Sequence, residues 1–191
     1  MFSFTNIKND DNISVSSSTR LKKEVKYNMD DLDNIYKEYR TIRIARETKF
    51  WINELINYKE NELKEVKNSL IKEYEMKLRK SDDFSDGYSP TISIAVTSGS
   101  ILEAAYNYTQ KVDINWSELF NEIEKEKNNI GKNIDVGTLT PRFYLYSSVW
   151  DELENYRIKL KPVEMQRNLM LNYVIKLVIF AYYKSIFIKR M

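Results

Sequence analysis

Histidine and cysteine are both absent from the 191 residues of this chain, and glycine occurs only four times. Histidine is the one side chain whose unperturbed pKa lies near neutral pH, so Ser-His-Asp and Cys-His nucleophiles are excluded. Zinc sites normally draw on Cys or His, and disulfides need Cys. Neither a structural zinc nor a disulfide framework is therefore expected. Carboxylates and lysines remain as acid–base groups, but no pair of them stands out by spacing.

The scarcity of glycine removes the phosphate-cradling loops. Gly131-Lys132 has no glycine five residues before it, and Asn133 stands where a Walker A loop needs Ser or Thr. No G-x-G-x-x-G occurs. The acidic run Asp82-Asp83-Phe84-Ser85-Asp86-Gly87 fails as an EF-hand loop, because Phe84 and Ser93 fall where a ligand and a glutamate are needed. It reads as a solvated turn. The expectation is a non-enzymatic protein with no catalytic residue, metal ligand or cofactor.

Apolar residues make up 42% of the chain and charged residues 30%, with a net charge of +2. This suits one domain, or one domain with an extension. The near balance of charge means that the whole-chain field will not steer it strongly to nucleic acid or acidic lipid. Lys, Asn, Ile and Tyr are abundant while Ala and Gly are scarce, a usage whose codons point to an AT-rich genome such as that of a phage. The fourteen tyrosines suit protein interfaces or core edges, since each joins a large apolar ring to a polar tip. The start of the chain lacks the basic, apolar and small-residue regions of a signal peptide. The expected location is the virion or the host cytoplasm.

Four segments are predicted. Residues 1–28 are rich in Asn, Asp and Ser and read as a flexible N-terminal arm that cannot bury enough surface to fold alone. Residues 29–80 contain no proline or glycine and carry apolar residues at helical spacing, from Leu32 and Ile35 to Tyr74 and Leu78. Asp30 and Asp31 suit its start. A helix of about 50 residues would be roughly 75 Å long, against about 40 Å for a compact domain of this size. It must either fold back as a hairpin near Asn53 to Asn57 or project. Residues 81–91 read as a linker.

Residues 92–191 read as a helical domain. Thr91 to Thr97 alternate as a short strand would, or open a helix. Ser100-Ile101-Leu102-Glu103 reads as a capping box for a helix to about Lys111. Asp113 is expected to cap the next, with Trp116, Leu119, Phe120 and Ile123 on one face and Gly131 ending it. Thr140-Pro141 reads as a further helix start. The run from Phe143 to Tyr146 is open between helix and strand. Pro162 is expected to begin the last helix, which extends to Lys189. The fold class is mainly α: a helical bundle with a long N-terminal helix or helical hairpin and one short β element near 91–97.

The stretch 169–188 is the most apolar and long enough to raise the question of a membrane. Lys176 near its centre costs roughly 2.5–3.5 kcal/mol on the insertion scale, and about ten Leu, Ile, Val and Phe return roughly 0.3–0.6 kcal/mol each. With Asn172 and Lys184 added, the sum is near zero, so membrane insertion is not the favoured reading. Asn172, Lys176 and Lys184 share one narrow stripe, and a helix apolar over the rest of its circumference needs neighbours on several sides. Any excess becomes an interface.

The function expected is therefore a structural or assembly protein of a multi-subunit particle, such as a connector, neck or capsid-associated protein of a phage. Its partners would be copies of itself and other subunits. Candidate interface residues are Phe2, Phe4 and Ile7 in the arm and Tyr173, Phe180, Tyr182, Tyr183 and Phe187 in the last helix. A nucleic-acid-binding alternative rests on Lys22 and Lys23 beside the arm and on Arg40, Arg43, Arg46 and Lys49, spaced as one helix face. A C-terminal membrane anchor is the third alternative.

Overall fold

The computed structural model describes residues 36–80, 92–131, 133–162 and 165–188. All of them belong to one compact unit, Asn34–Met191. The arm, the linker with its acidic turn, and the paired aspartates before the long helix lie outside the described residues. The elements in chain order are β1 (Lys37–Thr41), α1 (Arg46–Arg79), α2 (Ser98–Lys111), α3 (Trp116–Asn129), β2 (Arg142–Tyr146), α4 (Ser147–Lys159) and α5 (Leu171–Tyr183). A π-helical segment, Lys184–Ile188, continues α5. The chain is mainly α with one short two-stranded antiparallel sheet, as its sequence predicts.

The most apolar helix is also the most enclosed. Every residue from 174 to 181 is buried. Over 171–188 only Ile188 is exposed. α5 packs against each of the other four helices. Each fully buried Val, Leu, Ile or Phe contributes about 1.5–3 kcal/mol relative to exposure, so this helix alone accounts for a large part of the core. Residues 29–80 and 92–191 do not form separate cores. Trp51, Ile52 and Leu55 of α1 share one cluster with Leu102, Phe143, Trp150 and α5.

The long N-terminal helix is shorter than predicted and begins later. Residues 37–41 form a strand, and α1 then runs without interruption or hairpin from Arg46 to Arg79, about 51 Å. Asn53, near the predicted break, stays helical and donates its side-chain amide to the Val136 carbonyl at 3.2 Å. The strand wins because β2 needs a partner. Pairing Tyr39 with Tyr144 and Arg40 with Phe143 satisfies backbone groups beside the core while Phe143 and Leu145 are completely buried. The pairing continues irregularly past the ladder, with Ile44 N donating to Leu139 O at 2.9 Å.

The β element accordingly lies at 37–41 and 142–146, not near 91–97. Residues 92–97 carry no strand or helix and end in the N-cap of α2. That cap is Thr97, with Ser100 as its reciprocal partner, so the capping box lies three residues before the predicted one. α3 is capped by Asn115 rather than Asp113. Pro141 begins no helix, since β2 follows directly and α4 starts at Ser147. Pro162 begins none either. The Leu169 amide donates to the Arg157 carbonyl at 3.1 Å and its carbonyl accepts from Arg157 Nε at 2.7 Å, which ties this connection to the end of α4. α5 can start only beyond it.

Gly99, in the first turn of α2, lies against the backbone of β2. A Cβ there would meet the Tyr144 amide nitrogen at 2.9 Å and its carbonyl oxygen at 3.0 Å. Gly99→Ala should therefore lower stability by about 1–3 kcal/mol in urea denaturation. Gly131→Ala, whose Cβ meets only the Ile134 side chain at 3.5 Å, should change it by less than about 0.5 kcal/mol.

Candidate interaction surfaces

The polar stripe of the last helix is satisfied inside the chain. Lys176 is 6% exposed, and its ammonium donates to Glu47 Oε1 of α1 at 2.7 Å. Glu124 of α3 lies 3.9 Å away. Lys184 pairs with Glu122 of α3. Asn172 donates to the Arg43 carbonyl at 3.3 Å. The stripe thus faces three other parts of the fold. Leu171–Ile188 remains long and apolar enough by composition to cross a membrane.

The aromatic candidates on this helix are largely occupied by the same chain. Phe180 is 1% exposed and packs on Trp51, with ring centroids 4.7 Å apart. Tyr183 packs on Trp51, Phe180 and Phe187, and Phe187 packs edge-on to Tyr58. Tyr182 packs on Tyr108 and Tyr173 on Phe120. Phe180 is therefore no surface residue, while the other four are half-buried. Burial raises the pKa of Tyr173 and Tyr183 above the usual tyrosine value. Tyr173 also borders an open groove of about 770 Å³ with Phe120, Pro162, Met165 and Met170. Phe2, Phe4, Ile7, Lys22 and Lys23 lie outside the described residues.

The basic helix face does not exist. Arg40 sits in β1, Arg43 in the connection after it, and only Arg46 and Lys49 in α1. The reason is the strand pairing of residues 37–41. Arg40 donates to Glu38 at 2.6 and 2.9 Å and stacks over Trp150. Arg46 donates to the carbonyls of Gly131 and Ile134 at 2.7 Å, fastening the loop after α3. Partial burial lowers the pKa of Lys49. Arg43 is exposed.

Besides the groove beside Tyr173, two surfaces are left open among the described residues. One is the outer part of α1. Its buried residues are Thr48, Trp51, Ile52 and Leu55, all in the first three turns. From Lys59 onward nothing is buried, although Leu63, Val66, Leu70, Tyr74 and Leu78 continue at helical spacing. Residues 94–96 flank the stripe only as far as Lys67.

The other open surface is the outward face of the sheet, which the sequence reading missed. Antiparallel register places Lys37, Tyr39 and Thr41 beside Tyr146, Tyr144 and Arg142 on one side. Tyr39 is 60% exposed and Tyr144 44%. The alternation of Phe143 and Leu145 with Tyr144 and Tyr146 was the available signal. Lys37 to Thr41 offered none, being polar on both faces. Among the described residues no cluster of three or more acidic groups could hold a metal.

The Lys176–Glu47 pair has a defined pH signature. Burial pushes the Glu47 carboxyl up, but the hydrogen bond and charge of Lys176 outweigh it, so its pKa falls below 4.5. A depressed carboxyl contributes stability above its unfolded pKa, lost as pH falls through the folded one. Stability should thus decline below about pH 4.5, and less steeply in Glu47→Gln, as urea midpoints across pH would show. Lys176→Met strands the carboxylate and should cost about 3–5 kcal/mol, much of it recovered in Lys176→Met/Glu47→Leu. No protein-family model, curated protein or solved structure matches this chain.

Proposed function

We propose that this chain is a non-enzymatic assembly subunit that associates with further copies of itself through the outer part of α1. The observation that carries this reading is the apolar stripe that runs from Leu63 to Leu78 and that no described residue covers beyond Lys67. From Leu70 to Leu78 the helix has no tertiary packing among the described residues, and so short a helix is marginal in water on its own. The ion pairs along it, Lys59–Glu62 at 2.7 Å and Lys77–Glu73 at 2.6 Å, add only about 0.2–0.5 kcal/mol each. A partner that covers the stripe supplies the missing burial.

Charge argues for the identity of that partner. Seven basic and five acidic residues intermingle along 59–80, so the surface selects neither a strongly acidic nor a strongly basic partner. A second copy of the same helix presents the same mixed pattern and the same apolar stripe. The enclosure of α5 supports the choice, because its residues 174–181 are buried within the chain and offer no surface to a partner. The narrower reading, a virion component such as a phage connector, neck or capsid-associated protein, is supported by residue usage alone.

Sedimentation equilibrium of the full chain over about 1–100 μM tests the proposal, a range set by the micromolar affinities of modest interfaces. The expected result is reversible association that Leu63→Glu/Leu70→Glu abolishes while the far-UV spectrum of the core is retained. A wild-type chain that stays monomeric over the whole range overturns it.

A further inference from the structure

We propose that the outward face of the β1–β2 sheet binds single-stranded nucleic acid, with Tyr39 and Tyr144 as stacking rings and Arg142 and Lys37 as its cations. The site is independent of self-association through α1. Tyr39 and Tyr144 stack across the strands with centroids 4.3 Å apart and planes 21° from parallel. The Arg142 guanidinium lies 4.6 Å from the Tyr39 centroid. The Lys37 ammonium lies 5.7 Å from Tyr144 and 4.2 Å from Tyr146. Arg142, Tyr39, Tyr144, Lys37 and Tyr146 thus form one column of rings and cations.

Three features separate this column from an ordinary cross-strand contact. First, both central rings keep their edges in water, and the faces not stacked on each other are covered, among the described residues, only by the side-chain cations Arg142 and Lys37, whereas the alternate residues of β2 are wholly buried. Second, Arg142 has no carboxylate partner among the described residues, and the nearest carboxylate to Lys37 is Glu103 at 3.8 Å. The face carries positive charge that the fold does not neutralise at Arg142. Third, the platform is fixed from behind, by Phe143 and Leu145 in the core and by Gly99 against the Tyr144 backbone. A rigid platform loses little freedom when it binds.

The occupant must be flat and anionic. Unpaired bases supply π-faces that stack on the outer plane of the Arg142 guanidinium, or on Tyr39 in its place with the guanidinium turned to the phosphate, and the phosphates supply the charge. A neutral sugar would use the rings and leave the cations idle. An acidic peptide would do the reverse. A duplex hides its base faces and cannot stack on the column.

The test is fluorescence anisotropy of an end-labelled oligothymidine titrated with the full chain. The expected result is binding at 50 mM salt that weakens about sevenfold at 200 mM, as two phosphate contacts on a single strand require. Tyr39→Ala or Tyr144→Ala should weaken it by about 5- to 150-fold, while Tyr144→Phe, which keeps the ring, should not. Arg142→Gln leaves the sheet intact and should reduce both affinity and salt dependence. Far-UV spectra check that each variant is folded. No binding by the wild-type chain at 50 mM salt overturns the proposal. So does unchanged binding by folded Tyr144→Ala and Arg142→Gln, or equal affinity for a duplex of the same length.

Discussion

The fold depends on neutralising one buried cation. α5 is apolar around most of its circumference, and Lys176 sits in the middle of its eight buried residues. An unpaired ammonium at that depth would cost several kcal/mol. Glu47, in the first turn of α1, supplies the countercharge, and the N-terminal end of α1 also favours an acidic side chain. The pair fixes where α1 crosses α5. Trp51, Ile52 and Leu55 then follow Glu47 down the same helix into the core, and Lys184 with Glu122 fixes α3 against the far end of α5.

This arrangement determines which surfaces are free. Because α5 is enclosed by four helices, its aromatic residues pack largely on their own chain, and its length and apolarity say little about a membrane or a partner. The part of α1 that anchors the fold is only its first three turns. The rest continues the same apolar stripe, and beyond Lys67 none of the described residues of the chain buries it. The sheet has a comparable asymmetry: its inner face completes the core, and its outer face holds a tyrosine pair and two cations in water.

Helices with strong stripes were legible. The burial of α5 followed from its composition, and the run of apolar residues in α1 from Ile52 onward has the spacing that the structure shows. Caps were displaced by two or three residues, because Thr97, Ser100, Asp113 and Asn115 are all capable caps and only packing chooses among them. Residues 37–41 were not legible. Their sequence, Lys-Glu-Tyr-Arg-Thr, has no period-two apolar signal, and its strand state comes from a partner about a hundred residues away. That one long-range pairing dissolved the basic helix face and created the tyrosine face. The pairing of Lys176 with Glu47 was likewise hidden, since the stripe on α5 names a charge but not its partner.

Its own chain covers α5, and under the proposed self-association another copy covers the outer part of α1. Hydrogen exchange followed by mass spectrometry at several protein concentrations measures both at once. α5 should be protected at every concentration, while residues 59–79 should exchange fast when dilute and slow down as concentration rises. Protection of α5 that appears only at high concentration, with exchange of 59–79 unchanged, would contradict it.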